Sequence, residues 1–593
     1  MSNRLTNIIA VFLLIFVFAV SVLSMKDDSL TMDELAHLPA GYSYLTQKDM
    51  RLNPEHPPLV KDLSAIPLLF IKGIHFPAEA KSWKDDINGQ WDFGNKFLFH
   101  SNNPAYKMIF WARIPMILIL LLLGFYIFKW TRELFGDKAA LLALFFFSFS
   151  PTLIAHGRLV TTDVGAATGM FIATYYFTKF LQSPSKKNII IAGITFGLAE
   201  LVKFSTILLF PLFGLLIIFW SYAKSNNFKE FLKIFKHYLI LTILVTFIAY
   251  YLVWLVYLYH TWNYPPEKQV SDTKFILSSF GSKTLANAVV WMADKPLLRP
   301  IAQYLLGVFM VMQRATGGNT TFFLGEVSAA GWKTFFPVVY TIKQPLTFII
   351  LLIIAILYAV WLIKEPFWIN TSSRLKKWIQ KYLAEFSMLL AIAIYWTVSL
   401  KSNLNIGVRH LLPVFPFTIL LVSGVIIKFV SAEPFSRIKK FALGGLLIWQ
   451  MISVLSVYPH FLAYSNELTG GPSQTYIYTV DSNLDWGQDL KRLNDWLNKK
   501  GIKEIYVDYF GGSDTKYYLG DKFRPWWGTR NPDDLPKDSW LAVSATFLQG
   551  GRGLPAPGFN QPCGYYRWLY QYKPVTTIGY SIFVYHINKD TKK

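Results

Sequence analysis

Two adjacent carboxylates, Asp33 and Glu34, follow directly after the first apolar segment of the chain. A carboxylate at a membrane surface can act as a general base, and a second one beside it can support that role. The same pair also suits the first turn of a helix, where negative side chains meet the positive end of the helix dipole. The residue types alone therefore allow either a catalytic pair or a helix start.

A second polar motif, residues 51–58, has the sequence Arg-Leu-Asn-Pro-Glu-His-Pro-Pro. Within it, Glu55 and His56 could bind a divalent cation or hydrogen-bond a substrate. Prolines in this position are also common at the start of a helix. The motif fits both interpretations equally well.

The third and fourth apolar segments are joined by a short connection, residues 156–163, which contains Arg158 and Asp163. Ionisable groups at membrane depth are costly and tend to line a functional cavity. The alternative is a salt bridge that fastens the two helices together. We predict that Asp163 shares a site with Asp33.

Further basic residues lie at the ends of apolar segments, namely Lys203, Lys343, Arg409 and His410. A lysine there can simply extend toward the membrane interface as an anchor. The topology described below, however, places all four on the same side of the membrane as the two aspartates. We therefore predict that they form, with Arg158, a cationic site for a phosphate group. Arginine suits this role because its planar guanidinium bonds two oxygens at once.

The composition indicates that such a site belongs to a membrane protein. The 593 residues are 53% hydrophobic and only 16% charged, which is too apolar for an ordinary soluble protein. The formal net charge of +22 comes mostly from short loops between apolar segments. It therefore indicates membrane topology and attraction to anionic lipid rather than nucleic-acid binding. The single cysteine, Cys563, excludes an internal disulfide.

Eleven segments are apolar enough to be predicted as membrane spans, each of which needs roughly 20 residues. We interpret the first as a retained span rather than a removed signal peptide, because it lacks a small-residue cleavage site. The segments centre on residues 8–25, 108–130, 139–156, 164–181, 188–202, 204–222, 238–258, 336–362, 385–400, 408–430 and 440–458.

Lysine and arginine are concentrated in alternate loops, which predicts that these loops are cytoplasmic. The N-terminus is then inside, and an odd number of spans places the C-terminal region outside, on the extracytoplasmic side of the cell (inner) membrane. We predict a membrane module at 1–458, with long outside segments at 26–107 and 259–335, and an outside α/β domain at 459–593. The inside basic residues are Arg132, Lys138, Lys186, Lys187, Lys224, Lys229, Lys233, Lys236, Arg374, Lys376, Lys377, Lys381, Arg437, Lys439 and Lys440.

Local patterns predict the elements of the outside segments. Apolar residues recur at helical spacing at 35–45 and 59–70, which predicts two amphipathic helices on the membrane surface. Asp485 is predicted to cap a helix that runs from Trp486 to Lys500 and ends at Gly501. Strands are predicted at Ile505–Tyr509, Trp540–Ser544 and Ser581–His586.

In combination, these motifs resemble the polyprenyl-phosphate-sugar-dependent glycosyltransferases of the GT-C superfamily. The resemblance is strongest to the bacterial branch of the dolichyl-phosphate-mannose protein mannosyltransferase family, which is related to the aminoarabinose transferases. It extends from about residue 30 to about residue 490. The matching pieces are Asp33-Glu34, 41–44, 53–58, 158–163, 323–326 with Gly331-Trp332, 409–413, 458–461, 466–472 and 481–489.

The resemblance implies an all-α polytopic fold and a role for several residues. Asp33 is implied as the base and Asp163 as the second aspartate. Glu55 is the position sometimes associated with a divalent metal cation, with His460 as a candidate second ligand. The motifs also contain His56 and Glu326 as candidate site residues.

The implied activity is inverting transfer of a hexose or pentose from a polyprenyl phosphate, of the undecaprenyl or dolichyl type, to an extracytoplasmic hydroxyl. The acceptor can be a protein, a lipid or a cell-surface glycan. One alternative is a transporter or flippase for lipid-linked glycans, although the paired halves with interrupted helices typical of transporters are not recognisable. The other is a non-catalytic assembly subunit, which would tolerate the loss of Asp33 and Asp163.

Overall fold

Apolar helices dominate the first part of the protein. The computed structural model describes residues 3–363 and 369–588. Apolar segments become helices because a helix satisfies its backbone hydrogen bonds internally where no water is available. The helices up to residue 260 are α1 Asn3–Met25, α2 Met32–Gln47, α3 Leu59–Ala65, α4 Lys81–Lys84, α5 Gln90–Phe99, α6 Ala105–Phe135, α7 Asp137–Ser148, α8 Pro151–Gly157, α9 Asp163–Gln182, α10 Lys186–Glu200, α11 Leu209–Lys224 and α12 Phe228–His260.

The segment that follows α12 is mostly helical and packs onto the 51–58 motif. Gln303 donates a hydrogen bond from Nε2 to the carbonyl of Met50 at 3.0 Å. A Cβ atom at Gly307 would lie 2.4 Å from the carbonyl oxygen of Pro54, so only glycine allows this close approach. The elements are α13 Pro266–Ile276, α14 Lys283–Ala293, α15 Arg299–Gly317, β1 Thr321–Phe323 and β2 Glu326–Ser328.

Six further helices complete the membrane region. A 3-10 turn, Val408–Val414, leads into α20 and carries Arg409 and His410. The six helices are α16 Phe335–Lys343, α17 Leu346–Trp361, α18 Thr371–Lys381, α19 Leu383–Lys401, α20 Phe415–Ser431 and α21 Ser436–Leu455.

The protein is an integral multi-pass membrane protein, but its helices give fewer clear spans than the eleven predicted. Within residues 3–363 and 369–588, seven helices are long and apolar enough to cross a membrane. The number is nine if the bent pairs α7–α8 (62°) and α16–α17 (114°) each count as one span. Helices α9 and α10, both predicted as spans, fall outside this set. Fifteen of the 20 residues of α9 are buried and several of them are threonines, whereas α10 has only 15 residues.

The C-terminal region is a small α/β unit, as predicted. Its five-stranded sheet has the order β4-β3-β5-β8-β7, with β3 parallel to β4 and β5, and β8 antiparallel to β5 and β7. Strand β6 instead joins β1 and β2 in a second sheet. The elements are α22 Thr475–Tyr478, α23 Leu490–Lys500, β3 Ile505–Asp508, α24 Thr515–Leu519, β4 Phe523–Pro525, β5 Ser539–Ser544, α25 Ala545–Arg552, β6 Leu554–Pro555, β7 Thr576–Ile578 and β8 Ile582–Ile587.

The three predicted strands are present within one residue at each end, but the predicted start of α23 is wrong. The helix begins at Leu490 rather than Trp486, and it ends at Gly501, whose φ of 67° permits the left-handed turn. Asp485 does not cap it, because its carboxylate accepts a hydrogen bond from the backbone N–H of Thr546 at 2.9 Å. Residues 486–489 cannot be helical because they pair with the chain just before α2.

That pairing fastens the C-terminal region onto the membrane region. The N–H of Ser29 donates to the carbonyl of Gln488 at 2.9 Å, and the N–H of Met32 donates to the carbonyl of Trp486 at 3.1 Å. The hydroxyl of Ser29 accepts a hydrogen bond from the N–H of Leu490 at 3.0 Å. The start of α2 is thus held by residues more than 450 positions later in the chain.

Both helices predicted for residues 26–107 are present, as α2 and α3. Most of α2 is buried by other parts of the protein, so it is not a simple surface helix. A Cβ atom at Gly41 would lie 2.1 Å from the carbonyl oxygen of Lys61, which shows how closely α2 and α3 approach. This burial allows α2 to carry Asp33 into the interior.

Candidate functional site

Glu34 holds the first turn of α2 in place. Both of its oxygens bind the guanidinium of Arg113, at 2.6 and 2.8 Å, and they also accept the backbone N–H groups of Thr31 (2.9 Å) and Val160 (3.0 Å). Burial would raise the pKa of Glu34, but Arg113 lowers it more, so the carboxyl has a pKa below its usual value. Its hydrogen-bonding capacity is used within the protein, which supports a structural role.

Asp33 faces the other way and keeps an exposed edge. Its side chain is 21% exposed, and its Oδ2 accepts a hydrogen bond from Nη1 of Arg409 at 2.6 Å. Burial would raise the pKa of Asp33, but the charge of Arg409 lowers it more. Asp33 is therefore ionised at neutral pH and has a free side from which to accept a proton.

Asp163 connects two cations. Its Oδ2 lies 3.3 Å from Nη1 of Arg409, and its Oδ1 lies 2.5 Å from Nζ of Lys203. The carboxylate has no exposed surface, whereas the side chain of Lys203 is 17% exposed. The structure thus brings together Asp33, Asp163, Lys203 and Arg409, which we predicted as one site.

Arg409 is oriented by the segment 481–489. Its Nε donates to the hydroxyl of Ser482 at 3.1 Å, and its guanidinium carbon lies 4.3 Å above the ring of Trp486. The N–H of Val408 donates to Oδ1 of Asn483 at 2.8 Å. The motif 481–489 was part of the predicted resemblance, but its support of Arg409 was not foreseen.

A further cation, Arg314, was missed, and its charge acts on His56 of the 51–58 motif. It is exposed near the end of α15 and forms no ion pair in the described part of the chain. Burial lowers the pKa of His56 well below its usual value, and the charges of Lys203 and Arg314 act in the same direction. His410 is half-buried next to Arg409. Arg314 could have been suspected as a basic residue at the end of an amphipathic outside helix.

Two predicted phosphate ligands make internal contacts instead. The ammonium of Lys343 donates to the carbonyls of Leu462 (2.8 Å), Asn483 (2.6 Å) and Tyr464. Arg158 is buried and lies 2.9 Å from a carboxylate oxygen of Asp28. Contact of either side chain with a phosphate stays a prediction.

The 51–58 motif is prearranged around a buried lysine. Nζ of Lys61 donates to the backbone carbonyl and side-chain oxygen of Asn53, each at 2.9 Å, and to the carbonyl of His56 at 2.7 Å. Burial lowers the pKa of Lys61 to about 7. Glu55 is held separately, because its oxygens accept hydrogen bonds from the amides of Asn88 (3.1 Å) and Gln90 (2.6 Å).

The predicted metal ligands do not form a metal site in the described residues. His460 stands edge-on to Tyr580 at 5.6 Å, and its Nδ1 is 3.9 Å from an oxygen of Asp489, whereas Glu55 is bound to side-chain amides. Among residues 3–363 and 369–588, no group of three or more His, Cys, Asp or Glu side chains could hold a metal ion.

The last predicted site residue, Glu326, lies on β2 at the surface. One of its oxygens accepts a hydrogen bond from the indole N–H of Trp332 at 3.2 Å. Its backbone pairs with Phe323 in β1. No contact places it beside Asp33 in the described structure, and its role stays a prediction.

Comparison with known proteins gives three matches. Residues 106–254 match the model of the family described as dolichyl-phosphate-mannose-protein mannosyltransferase. The protein O-mannosyltransferase Pmt1-Pmt2 complex of S. cerevisiae, solved with its sugar donor, matches with a TM-score of 0.52 and 12% identity, over 84% of this chain and 93% of that one. ArnT from Cupriavidus metallidurans, solved with undecaprenyl phosphate, matches with a TM-score of 0.42 and 11% identity, over 97% of each chain. No match was found among curated proteins.

The protein therefore has the polytopic all-α membrane fold shared with the yeast complex. The family match confirms the predicted resemblance to the polyprenyl-phosphate-sugar-dependent glycosyltransferases of the GT-C superfamily, on the protein mannosyltransferase side. The matched residues include Asp163 and Lys203 but neither Asp33 nor Arg409. The roles of individual site residues are thus argued from their geometry.

Proposed function

We propose that this protein is an inverting glycosyltransferase that moves a sugar from a polyprenyl phosphate to the hydroxyl group of an extracytoplasmic acceptor. One observation carries the proposal. Asp33 is ionised and partly exposed, and it is joined through Arg409 to Asp163 and Lys203. A base and a group of cations meet at one place, as glycosyl transfer from a phosphate requires.

The cations stabilise the negative charge that develops on the phosphate of the donor. As the bond from the sugar to the phosphate breaks, negative charge builds on the leaving phosphate, and preorganised cations stabilise it best where water is excluded. Lys203 and His410 are partly accessible, and Arg314 is exposed with no ion pair in the described residues. The matching family is named for dolichyl-phosphate-mannose, which supports a lipid phosphate as the donor.

The carboxylate acts on the acceptor. Asp33 removes the proton from the hydroxyl as its oxygen attacks the anomeric carbon on the face opposite the phosphate. A single displacement of this kind inverts the configuration, by the same logic as in an inverting glycosidase. Asp163 takes no proton, because it lies buried between Arg409 and Lys203 and orients both.

Several features support an extracytoplasmic site. The positive-inside pattern of the loops puts the ends of α1 and α10 outside, and Asp33 and Lys203 lie in the segments that follow these ends. The C-terminal region, which orients Arg409, lies on the same side by this topology. The acceptor then reaches the site from outside, while the lipid donor enters from the bilayer.

The deciding experiment follows release of free polyprenyl phosphate by mass spectrometry. Purified protein in detergent is incubated with a panel of polyprenyl phosphate sugars and crude cell-envelope acceptors. Asp33→Asn should lower turnover by about 10²-fold or more, because a general base contributes 10²–10⁴-fold. Asp92→Asn, a carboxylate exposed on α5, is the matched control and should turn over normally.

Two results would contradict the proposal. Near-normal turnover of Asp33→Asn removes this residue from the role of base. If no donor releases its phosphate although one of them binds, the transporter or assembly-subunit alternative is favoured.

A further inference from the structure

The turn between α14 and α15, residues 294–298, packs against the membrane-spanning helix α12. The indole N–H of Trp254 on α12 donates a hydrogen bond to the backbone carbonyl of Leu297 at 2.9 Å. The side chain of Leu297 is not covered by this contact, because the residue is 73% exposed. A large apolar side chain is therefore left uncovered directly beside a membrane span.

The position of Trp254 along α12 gives the depth of this contact. Three lysines lie near the start of α12, at its predicted cytoplasmic end, and the last of them is Lys236. A span needs roughly 20 apolar residues, so the hydrocarbon region counted from Lys236 ends close to Val256. Trp254 lies just inside that limit, where tryptophan is enriched in membrane proteins. Leu297 is thus level with the boundary between acyl chains and headgroups.

The part of α12 next to the turn carries a stripe of exposed apolar side chains. The ring of Trp254 is stacked with that of Tyr251, which belongs to the stripe, at 6.1 Å. Acyl chains cover such a stripe on a spanning helix, so the turn adjoins a lipid-contacting surface. The members of the stripe recur at helical spacing, and they are Ile240, Ile243, Leu244, Phe247, Tyr251 and Leu255.

Helix α14 extends the same apolar surface away from α12. Its buried side packs against α15 through Ala286, Val289 and Ala293. Leu285 and Trp291 remain uncovered, at 50% and 58% exposure. A helix that rests on the protein with one side and keeps tryptophan and leucine exposed on another suits the plane of the membrane interface, where such side chains enter the lipid.

The backbone of the turn also suits a place with little water. The N–H groups of Asp294, Lys295 and Leu298 donate to carbonyls of the same segment at 3.3, 3.0 and 2.9 Å, and Pro296 has no N–H. The carbonyl of Leu297 accepts the indole N–H described above. Backbone groups next to hydrocarbon need partners within the protein, because no water is available to them there.

We propose that the α14–α15 turn, together with Trp291, is a membrane anchor that inserts into the lipid leaflet at the C-terminal end of α12. By the predicted topology, this is the extracytoplasmic leaflet. The partner is the lipid itself, at the boundary between headgroups and acyl chains. The anchor fixes the start of α15, which carries Gln303 and Gly307 against the 51–58 motif. The bilayer thereby helps to hold this motif in place.

The test measures lipid contact with a fluorescent label on a single cysteine. In a Cys563→Ser background, Leu297→Cys is labelled with bimane, and the protein is placed in nanodiscs whose phospholipids carry bromine on their acyl chains. Bromine quenches the label at short range, so emission from position 297 should fall when brominated lipid replaces ordinary lipid. Lipid brominated near the headgroup should quench this label more than lipid brominated near the chain end.

Val575→Cys in the same background is the matched control. Val575 is apolar and 55% exposed, but it precedes β7 in the C-terminal sheet and should keep its emission. Leu244→Cys, near the middle of α12, should be quenched most by lipid brominated near the chain end. Quenching at position 297 that does not exceed that at Val575 overturns the proposal. Blue-shifted emission at 297 without quenching by bromine also overturns it, and indicates that a second copy of the chain or another protein covers the turn.

Discussion

At the scale of single residues, Arg314 offers the clearest test of how the donor is bound. It is exposed and has no ion pair in the described residues, so Arg314→Gln should leave the thermal unfolding midpoint unchanged. A lost charge-assisted hydrogen bond to phosphate weakens binding by about 1.5–3 kcal/mol, or roughly tenfold to a hundredfold. Donor KM should rise by that factor. Lys283→Gln, an exposed cation on the neighbouring α14, should not change it, and equal KM values for both variants would exclude Arg314 as a phosphate ligand.

The residue types of the site were predictable, but the residue types alone did not assign separate roles to Asp33 and Glu34. Asp33, Asp163, Lys203 and Arg409 stood out because charges beside apolar segments are costly. By residue type alone Asp33 and Glu34 were equivalent candidates, and only the resemblance singled out Asp33 as the base. Arg113 settles the difference by binding Glu34 from 79 positions away. A contact between residues so far apart in the sequence cannot be recognised from local sequence patterns.

At the scale of elements, the segment 481–489 is where local rules fail. Its sequence favours a helix that starts after Asp485. In the structure, residues 486–488 are instead hydrogen-bonded to residues 29–32, and the helix begins at Leu490. Hydrogen bonds to residues far away in the sequence override the intrinsic helix preference of this segment. Three of the five strands of the sheet, β3, β5 and β8, were predicted, because short apolar runs rich in β-formers mark them in the sequence.

Asp485 makes the stability of this segment depend on pH. Burial raises its pKa from the usual 3.8 to about 8. The folded protein therefore holds a proton that the unfolded chain releases above about pH 4, and stability falls as the pH rises from about 4 to about 8. The Asp485→Asn substitution removes this loss of stability at higher pH. Its melting midpoint should exceed that of the wild type by a few degrees at pH 8 and by less at pH 5. A gap that is constant between these pH values would show that Asp485 does not titrate in this range.

At the scale of the whole molecule, the predicted membrane module and C-terminal domain build a single site. A boundary near residue 458 remains a prediction, but the contacts across it are extensive. The chain before α2 pairs with 486–490, and Arg409 rests on Ser482 and Trp486. Sequence patterns suggested an accessory domain because they describe neighbours along the chain. Contacts between residues several hundred positions apart decide its actual place.

The contact between the C-terminal region and the membrane region is best tested at the buried ion network that lies between them. Arg492 on α23 lies 2.7 Å from a carboxylate oxygen of Asp28 and 2.6 Å from one of Asp489. Removal of one partner from a buried pair costs about 3–5 kcal/mol, because the remaining charge is left uncompensated. Arg492→Met should therefore lower both the melting midpoint and turnover, even though Arg492 has no contact with Asp33 in the described structure.

A double-mutant cycle separates loss of this pair from general disruption. The double variant Asp28→Asn, Arg492→Met removes both charges, so it should be less destabilised than the sum of its parts, by about 1–3 kcal/mol. Arg524→Met is the matched control, because its pair with Glu504 is exposed and such pairs contribute only about 0–1 kcal/mol. Strictly additive effects in the cycle would mean that Asp28 and Arg492 do not interact.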